Sequence, residues 1–378
     1  MRLTEADYAA LDYRLAKHDA YLESHYPGDP GGRQPVHTAY IPADKISGFR
    51  SWGVRALAAM EEYGFDFPHA PLVRAKLARE PIEDLRVDFE DGYGVRDDDA
   101  EDAAVREAAA VLLDGERPPF LGIRIKSFEA ATRRRALRTL DLFLTHYPLP
   151  FVVTLPKVSG PDQVSAMVVL CSRLERAYER SLRFEIQIEL PAAIVGANGR
   201  AVVARLITAA AGRCVGLHFG TYDYTSALGI AAAHQSLEHP AADYAKSVMQ
   251  AAAAQTGVRL SDGSTNVLPV GSASEVASAW QLHHRLVTRS LARGFYQGWD
   301  LHPAHLPTRY SATYEFFVSG RDVAVERLKR YLSRQESGIA DEPATARALA
   351  GYLLRGLDCG ALDDAGFPRE TLLALVVG

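Results

Sequence analysis

Two acids in this sequence stand where a buried strand would end. The run FEIQIEL reaches Glu189, and CVGLHFG leads through Gly220-Thr221-Tyr222 to Asp223. A carboxylate at the end of a buried strand is costly without a counter-charge. If the two strands are neighbours, the acids meet, and like charges raise each other's pKa unless a cation lies between them. A hard divalent cation with oxygen ligands would satisfy the pair, which makes Glu189 and Asp223 candidate magnesium ligands. The same spacing also fits two solvated loop acids.

Other ionisable groups follow strand-like runs in the same way. Asp88, Glu90 and Asp91 close the run 84–90, Arg124 and Lys126 lie in 120–126, and Lys157 follows 151–155. Asp262, beside Gly263, follows 256–260, and Asp300 and His302 close 295–301. Each also has a structural reading. Asp88, Glu90 and Arg124 could be ion-pair partners in a barrel wall, Lys157 a turn lysine and His302 a helix cap. Asp262 could be a turn former, and His218 a satisfied core histidine. The acidic run from Asp97 to Asp102 reads as a solvated helix N-terminus favoured by the helix dipole. Arg133-Arg134-Arg135 reads as a solvated helix face, and His283-His284 as mid-helix residues that ligate nothing.

The elements that would position these groups alternate. Strand-like runs at 36–41, 84–90, 120–126, 151–155, 183–189, 214–219, 256–260 and 295–301 are separated by helical stretches near 48–63, 98–114, 129–145, 160–178, 199–211, 240–254 and 273–293. That alternation predicts a parallel sheet, and eight units over this length suit a closed (β/α)8 TIM barrel better than an open sheet. No GxGxxG follows the first strand, which weakens a dinucleotide-binding reading. In such a barrel the groups named above fall at the C-terminal ends of the strands, where active sites are built. Residues 4–25 read as a helix with Tyr8, Leu11, Leu15 and Leu22 near one side, and Tyr26–Gly32 as a linker. Helices near 304–318, 321–334, 344–357 and 368–376 follow the last strand. The expected organisation is an N-terminal helix and linker (1–35), a barrel (36–306) and a helical C-terminal extension (307–378).

Composition narrows the class. The chain has 378 residues, 48% apolar and 24% charged, with a formal net charge of −5, an ordinary globular balance without a basic nucleic-acid footprint. No apolar run is long enough to span a membrane, and the N-terminus is mixed-charge rather than signal-like. Cys171, Cys214 and Cys359 are far apart and odd in number, which fits a reducing cytoplasm better than a disulfide framework.

The motifs and their order resemble the HpcH/HpaI aldolase and citrate lyase family, in particular citrate lyase β-subunits and malyl-CoA lyases of the phosphoenolpyruvate/pyruvate barrel type. The resemblance covers roughly 36–306. Val87-Asp88-Phe89-Glu90-Asp91-Gly92 is similar to the family's L-D-L-E-D-A, Ile123-Arg124-Ile125-Lys126 to its R-V-N strand, and Leu155-Pro156-Lys157-Val158 to P-K-V. Ile188-Glu189, Gly220-Thr221-Tyr222-Asp223 with Leu228-Gly229, and Gly294–Pro303 resemble its I-E, G-x-x-D with L-G, and closing G-F-x-G-K-W-x-I-H-P. The sequence departs from the pattern at Lys126 for Asn, Gly92-Tyr93 for Ala-Val, Leu190-Pro191 after the glutamate, and Gln297-Gly298 for Gly-Lys. His305 stands where the family has Gln.

The resemblance implies a magnesium-dependent carbon–carbon lyase with Glu189 and Asp223 as metal ligands. It implies Arg124 on the keto-acid oxygen, with Glu90 and Asp91 supporting it and the metal waters. Lys157 and the Gly220-Thr221-Tyr222 turn are substrate-binding candidates, and Asp262 and His302 are candidates for the base. The implied partner is a small α-keto or hydroxy acid, with a CoA thioester as a further candidate, and the implied assembly a homo-oligomer, trimer or hexamer. A malate synthase-like condensation, a CoA-independent aldol cleavage and a non-catalytic keto-acid binding barrel are the alternatives.

Overall fold

Eight parallel strands form the centre of the computed structural model, which describes residues 2–334 and 342–377. They are β1 (His37–Pro42), β2 (Asp84–Asp88), β3 (Phe120–Arg124), β4 (Val152–Leu155), β5 (Arg183–Ile188), β6 (Cys214–Phe219), β7 (Arg259–Ser261) and β8 (Gly298–Asp300). From β1 to β7 each strand pairs with the next in sequence, and β1 also pairs with β8. The remaining seam, between β7 and β8, is closed by backbone bonds from Asp262 N to Gln297 O (2.8 Å) and from Trp299 N to Gly263 O (3.1 Å). The sheet is thus an eight-stranded parallel barrel with helices around it, as the alternation predicts.

The helices among the described residues run in order: α1 (Glu5–His25), α2 (Trp52–Glu62), α3 (Ala70–Arg79), α4 (Asp98–Leu113), α5 (Arg133–His146), α6 (Pro161–Tyr178), α7 (Pro191–Ile194), α8 (Val203–Ala209), α9 (Thr221–Ala227), α10 (Pro240–Ala253), α11 (Ala273–Ala292), α12 (Leu306–Ser333), α13 (Pro343–Asp358) and α14 (Arg369–Val377). Several starts follow local chemistry. The Asp97 side chain accepts from Ala100 N (2.8 Å) at the head of α4, and Ser272 and Glu275 form a capping box on α11.

The apolar core lies between the strands and the helices. Leu85, Val87, Ile123, Val153, Leu155, Phe184, Ile186, Ile188, Leu217 and Phe219 alternate along the strands and are buried. The other strand face, inside the barrel, is polar. Arg86 donates through Nε and Nη2 to Glu185 (2.9 and 2.8 Å) and also pairs with Asp84, while Thr154 (2.5 Å) and His218 (3.0 Å) complete the shell around Glu185. Barrel interiors are more often filled by branched apolar side chains. Here a Cβ on Gly122 would stand 2.8 Å from Arg86 Nε, so the missing side chain makes room for the guanidinium.

Several expectations change. α3 and α9 are helices the sequence reading did not mark, and the stretch 199–211 is helical only over Val203–Ala209. Residues 43–51 form a 3-10 segment ahead of α2. The stretches near 304–318 and 321–334 are one helix, α12, because Gly320 sits inside it against the Tyr352 ring rather than ending it. Arg135 is not solvated; it pairs with Asp98 (2.8 Å), Glu101 (3.2 Å) and Asp102 (2.5 Å). Within the acidic run Glu101 and Asp102 are therefore buried, not exposed. The α1 residues Tyr8, Leu11, Leu15 and Leu22 cover no core, since no residue of α1 is buried. The helical extension includes residues 335–341, which lie outside the described residues. Cys171, Cys214 and Cys359 are free and buried. No helix among the described residues is long and apolar enough to cross a membrane.

Candidate metal and substrate site

The ends of β2 to β6 bring five charged groups to one point. Lys157, just after β4, places its ammonium 2.8 Å from Asp91 Oδ2 and 2.7 Å from Asp223 Oδ2. The same Nζ lies 3.7 Å from Glu90 Oε1 and 3.7 Å from Glu189 Oε2. Four carboxylates from the ends of three strands thus share one cation. Lys157 also has φ +52°, in the left-handed region that costs a non-glycine residue roughly 1–2 kcal/mol. Its backbone N–H donates to Glu189 Oε1 (2.6 Å), which helps to hold that conformation.

Arg124 stands beside this cluster. Strand register places Asp88 directly opposite it. Arg124 donates through Nε to Asp88 Oδ1 (2.7 Å) and through Nη2 to Asp88 Oδ2 (2.6 Å). The two Asp88 oxygens also accept from Glu90 N and Gly92 N, both at 2.9 Å. A Cβ on Gly92 would lie 2.5 Å from Asp88 Oδ2, so glycine is what lets the turn fold onto the carboxylate. The guanidinium is fixed on one edge, and Nη1 faces Glu90 Oε2 at 3.4 Å. The Tyr40 ring lies 4.9 Å from the guanidinium carbon, a cation–π contact.

The electrostatics follow from burial. Burial pushes the Glu189 carboxyl up to about 7, against the opposing pull of Lys157 and with Asp223 adding to the rise. Burial likewise pushes Glu90 up to about 8, although Arg124 and Lys157 draw it down. For Asp91 burial acts upward too, but its hydrogen bond to Lys157 and that ammonium's charge outweigh it and hold the group below its ordinary value. Burial disfavours the Lys157 ammonium, yet Glu189 and Glu90 outweigh it and hold its pKa above the ordinary lysine range. Buried acids without enough positive charge between them take protons instead.

A magnesium ion fits the donor set. Glu189 and Asp223 already reach one cation, the Lys157 ammonium, so their oxygens converge. Gly220 contributes space, since a Cβ there would stand 2.7 Å from Glu189 Oε2. Among the described residues no three His, Cys, Asp or Glu side chains form a ready metal cage. A metal here would take its other oxygens from water or substrate, which suits magnesium.

The structure also separates the candidates. Glu90, Asp91, Arg124, Lys157, Glu189 and Asp223 come together. Thr221 is buried at the start of α9 with its hydroxyl unpartnered, and the Tyr222 hydroxyl accepts from Asn266 N (2.6 Å) in the loop after β7. Asp262 does not join them. It is a buried ion pair with Lys246 of α10 (3.0 Å) and accepts from Ser290 of α11 (2.5 Å), so it faces the helix layer. His302 caps the turn after β8 by accepting from Ala304 N (3.2 Å), and burial, with His305 and Arg55 nearby, pushes its pKa down to about 4. Asp300 is likewise taken, by His37 (2.7 Å), His283 (3.2 Å) and Arg309 (3.1 Å).

Two residues support the site. Asp88, read from the sequence as an ion-pair partner, is one, and it orients Arg124. Lys126 donates to the carbonyls of Phe89 (2.6 Å) and Gly94 (3.2 Å) and pairs with Glu101 (2.8 Å), so it ties down the turn that carries Glu90 and Asp91.

The model of a family described as "Domain of unknown function (DUF6986)" matches residues 15–375. Among solved structures, the chain is similar to a citrate lyase from Burkholderia xenovorans LB400, with 20% identity and a TM-score of 0.63 over 90% of this chain and 98% of that one. It is also similar to the protein CitE from Mycobacterium tuberculosis in complex with magnesium, acetoacetate and coenzyme A, with 20% identity and a TM-score of 0.53 over 87% and 99%. At these identities the likeness shows the fold. No curated protein matches the sequence.

Proposed function

The chain belongs to the DUF6986 family, and from that premise we propose that it is a magnesium-dependent carbon–carbon lyase acting on a small α-keto or hydroxy acid. The barrel of residues 36–306 would be the lyase domain. The observation that carries this reading is the convergence of Glu90, Asp91, Glu189 and Asp223 on one cation position beside a buried, oriented arginine. The complex of CitE with magnesium, acetoacetate and coenzyme A, a barrel of the same fold, supports the metal and, more coarsely, a small keto-acid ligand.

Glu189 and Asp223 would hold the magnesium ion. When bound, the ion supplies Lewis-acid polarisation of a keto-acid carbonyl. Arg124 Nη1, the corner that Asp88 leaves free, donates to the oxygen whose charge changes as the bond breaks. A preorganised donor of this kind is worth about 3–4 kcal/mol of barrier. Glu90 Oε2 lies beside that nitrogen, and its pKa of about 8 lets it hold or release a proton near neutral pH. In the cleavage direction the ionised fraction of Glu90, which grows as pH rises toward about 8, takes the hydroxyl proton as the C–C bond breaks, and the bond's electron pair leaves with the enolate fragment. Lys157 balances the four acids and would compete with the metal for Asp223 and Glu189.

The test is a panel of hydroxy acids and acyl-CoA thioesters incubated with the full-length protein and magnesium, with keto-acid release as readout. Magnesium-dependent release that is lost in Glu189→Gln supports the reading. No release from any member, together with intact keto-acid binding, favours a non-catalytic binding barrel instead.

A further inference from the structure

A second feature lies at the opposite end of the barrel. A cavity of about 750 Å³ is walled by residues that precede strands, among them Val36 before β1, Val258 before β7 and Tyr296 before β8. The acid cluster stands at the other ends of the strands. Other walls include the end of α10, Phe317 of α12, and α13, α14 and the glycine loop Tyr26–Gly32, the last three of which the lyase reading leaves without a role. The volume is that of a small-molecule site, roughly 300–1,000 Å³.

Its charge is unbalanced. Arg259, Arg347, Arg355 and Arg369 line it against only two acids, Asp29 and Asp358. Arg369 is committed to Asp358 at 2.7 Å. Arg355 reaches Asp29 only at 3.6 Å and lies over the Tyr296 ring, 4.5 Å from its centre. Arg347 is exposed and has no ion pair among the described residues. Arg259 is half-buried and donates to the carbonyls of Gly31 (2.6 Å), Gly32 (2.9 Å) and Arg33 (2.5 Å), with no carboxylate in ion-pair contact among the described residues. Burial, with Arg355 adding to it, holds the Arg259 pKa below the ordinary arginine value despite Asp29. A half-buried guanidinium with no ion pair among the described residues is costly; its Nη atoms are committed to the loop carbonyls, so its charge favours an anion while the planar forks of Arg347 and Arg355 match carboxylate and phosphate oxygens.

Three glycines shape the loop that forms part of the wall. Gly28, Gly31 and Gly32 have φ of +86°, +69° and +74°, a region other residues adopt at a cost. Gly28 N donates to Gln255 O (2.8 Å), which ties the loop to the segment before β7.

We propose that this cavity binds a small, multiply charged oxyanion through Arg347 and Arg355, with the Arg259 charge behind them, at a site separate from the strand-end acids. A phosphorylated metabolite and a polycarboxylate share that chemistry. The test uses the full-length protein without divalent cations, titrated calorimetrically at fixed ionic strength with inorganic pyrophosphate and, separately, with tricarballylate. The expected result is saturable binding of at least one probe, weakened about tenfold or more in Arg347→Gln and in Arg355→Gln and retained in Glu189→Gln. Which probe binds tells the phosphate source from the carboxylate source. Should Arg355→Gln fail to fold, Arg347→Gln, which breaks no ion pair among the described residues, carries the same comparison. Absence of saturable binding to both probes overturns the proposal. Loss in Glu189→Gln with retention in the arginine variants also overturns it, by placing the anion among the strand-end groups.

Discussion

Arg124 shows how much one side chain depends on its neighbour. Its fork is buried and held on one edge by Asp88, so the Nη1 end of the guanidinium, with the outer Nη2 proton, is left for a substrate oxygen. Arg124→Lys keeps the charge but loses both the fork and the corner. Turnover is expected to fall about a hundredfold or more, the size of losing one preorganised donor, and near-normal turnover would remove Arg124 from the mechanism. The two raised acids make a second expectation. Near pH 7 Glu189 and Glu90 hold protons in the folded protein that the unfolded chain has already released above its ordinary carboxylate pKa of about 4.5. Folded-state proton uptake means that each lowers stability as pH rises from about 4.5 through its folded value, near 7 and near 8. Without divalent cations, Glu90→Gln should flatten the fall of melting temperature across that window, and an unchanged slope would contradict the burial argument. The residue types at this site were legible because a strand-end acid announces itself in sequence. Direction was not: Asp262 looked as well placed as Asp223, but Lys246 and Ser290, both distant in sequence, turn it toward the helices.

At the scale of elements, loops are shaped to bring the acids together. Gly220 ends β6 with ordinary φ −97°, so its role is space rather than backbone freedom. Gly220→Ala would drive a methyl group against Glu189. Overpacking of this kind costs about 1–3 kcal/mol, and magnesium affinity should fall with it. Calorimetry and thermal melting on one sample check both, and unaltered affinity would show that Glu189 can relax without losing the metal. All eight strands were legible, because parallel strands covered by helices read as short apolar runs between turns. Helices without strong punctuation were harder. α9 follows β6 directly and reads like a loop, and α12 continues through Gly320 because Tyr352 packs there.

For the whole molecule, the barrel supports two chemically different ends. The C-terminal ends of the strands gather acids around one cation, and the N-terminal end gathers arginines around a cavity. Between them the interior is an ionic column centred on Arg86 and Glu185. Breaking such a pair from one side leaves a buried charge and costs about 3–5 kcal/mol. α1 contributes nothing to this core, as none of its residues is buried and Leu11, Leu15 and Tyr13 stand open at 55%, 49% and 88%. Removing residues 2–25 should therefore leave the melting temperature of the isolated chain within a few degrees. A larger drop would mean that this apolar surface is covered in solution. The helix was legible in α1, but periodicity shows that a helix has an apolar side and not what that side meets.

The central claim is that Glu189 and Asp223 hold magnesium for a keto acid. Titration of magnesium into the full-length protein with oxaloacetate or glyoxylate present tests it most directly. Saturable binding in the unmodified protein, weakened by about a hundredfold or more in both Glu189→Gln and Asp223→Asn while circular dichroism stays unchanged, is the expected result. Undiminished binding in both variants would contradict it.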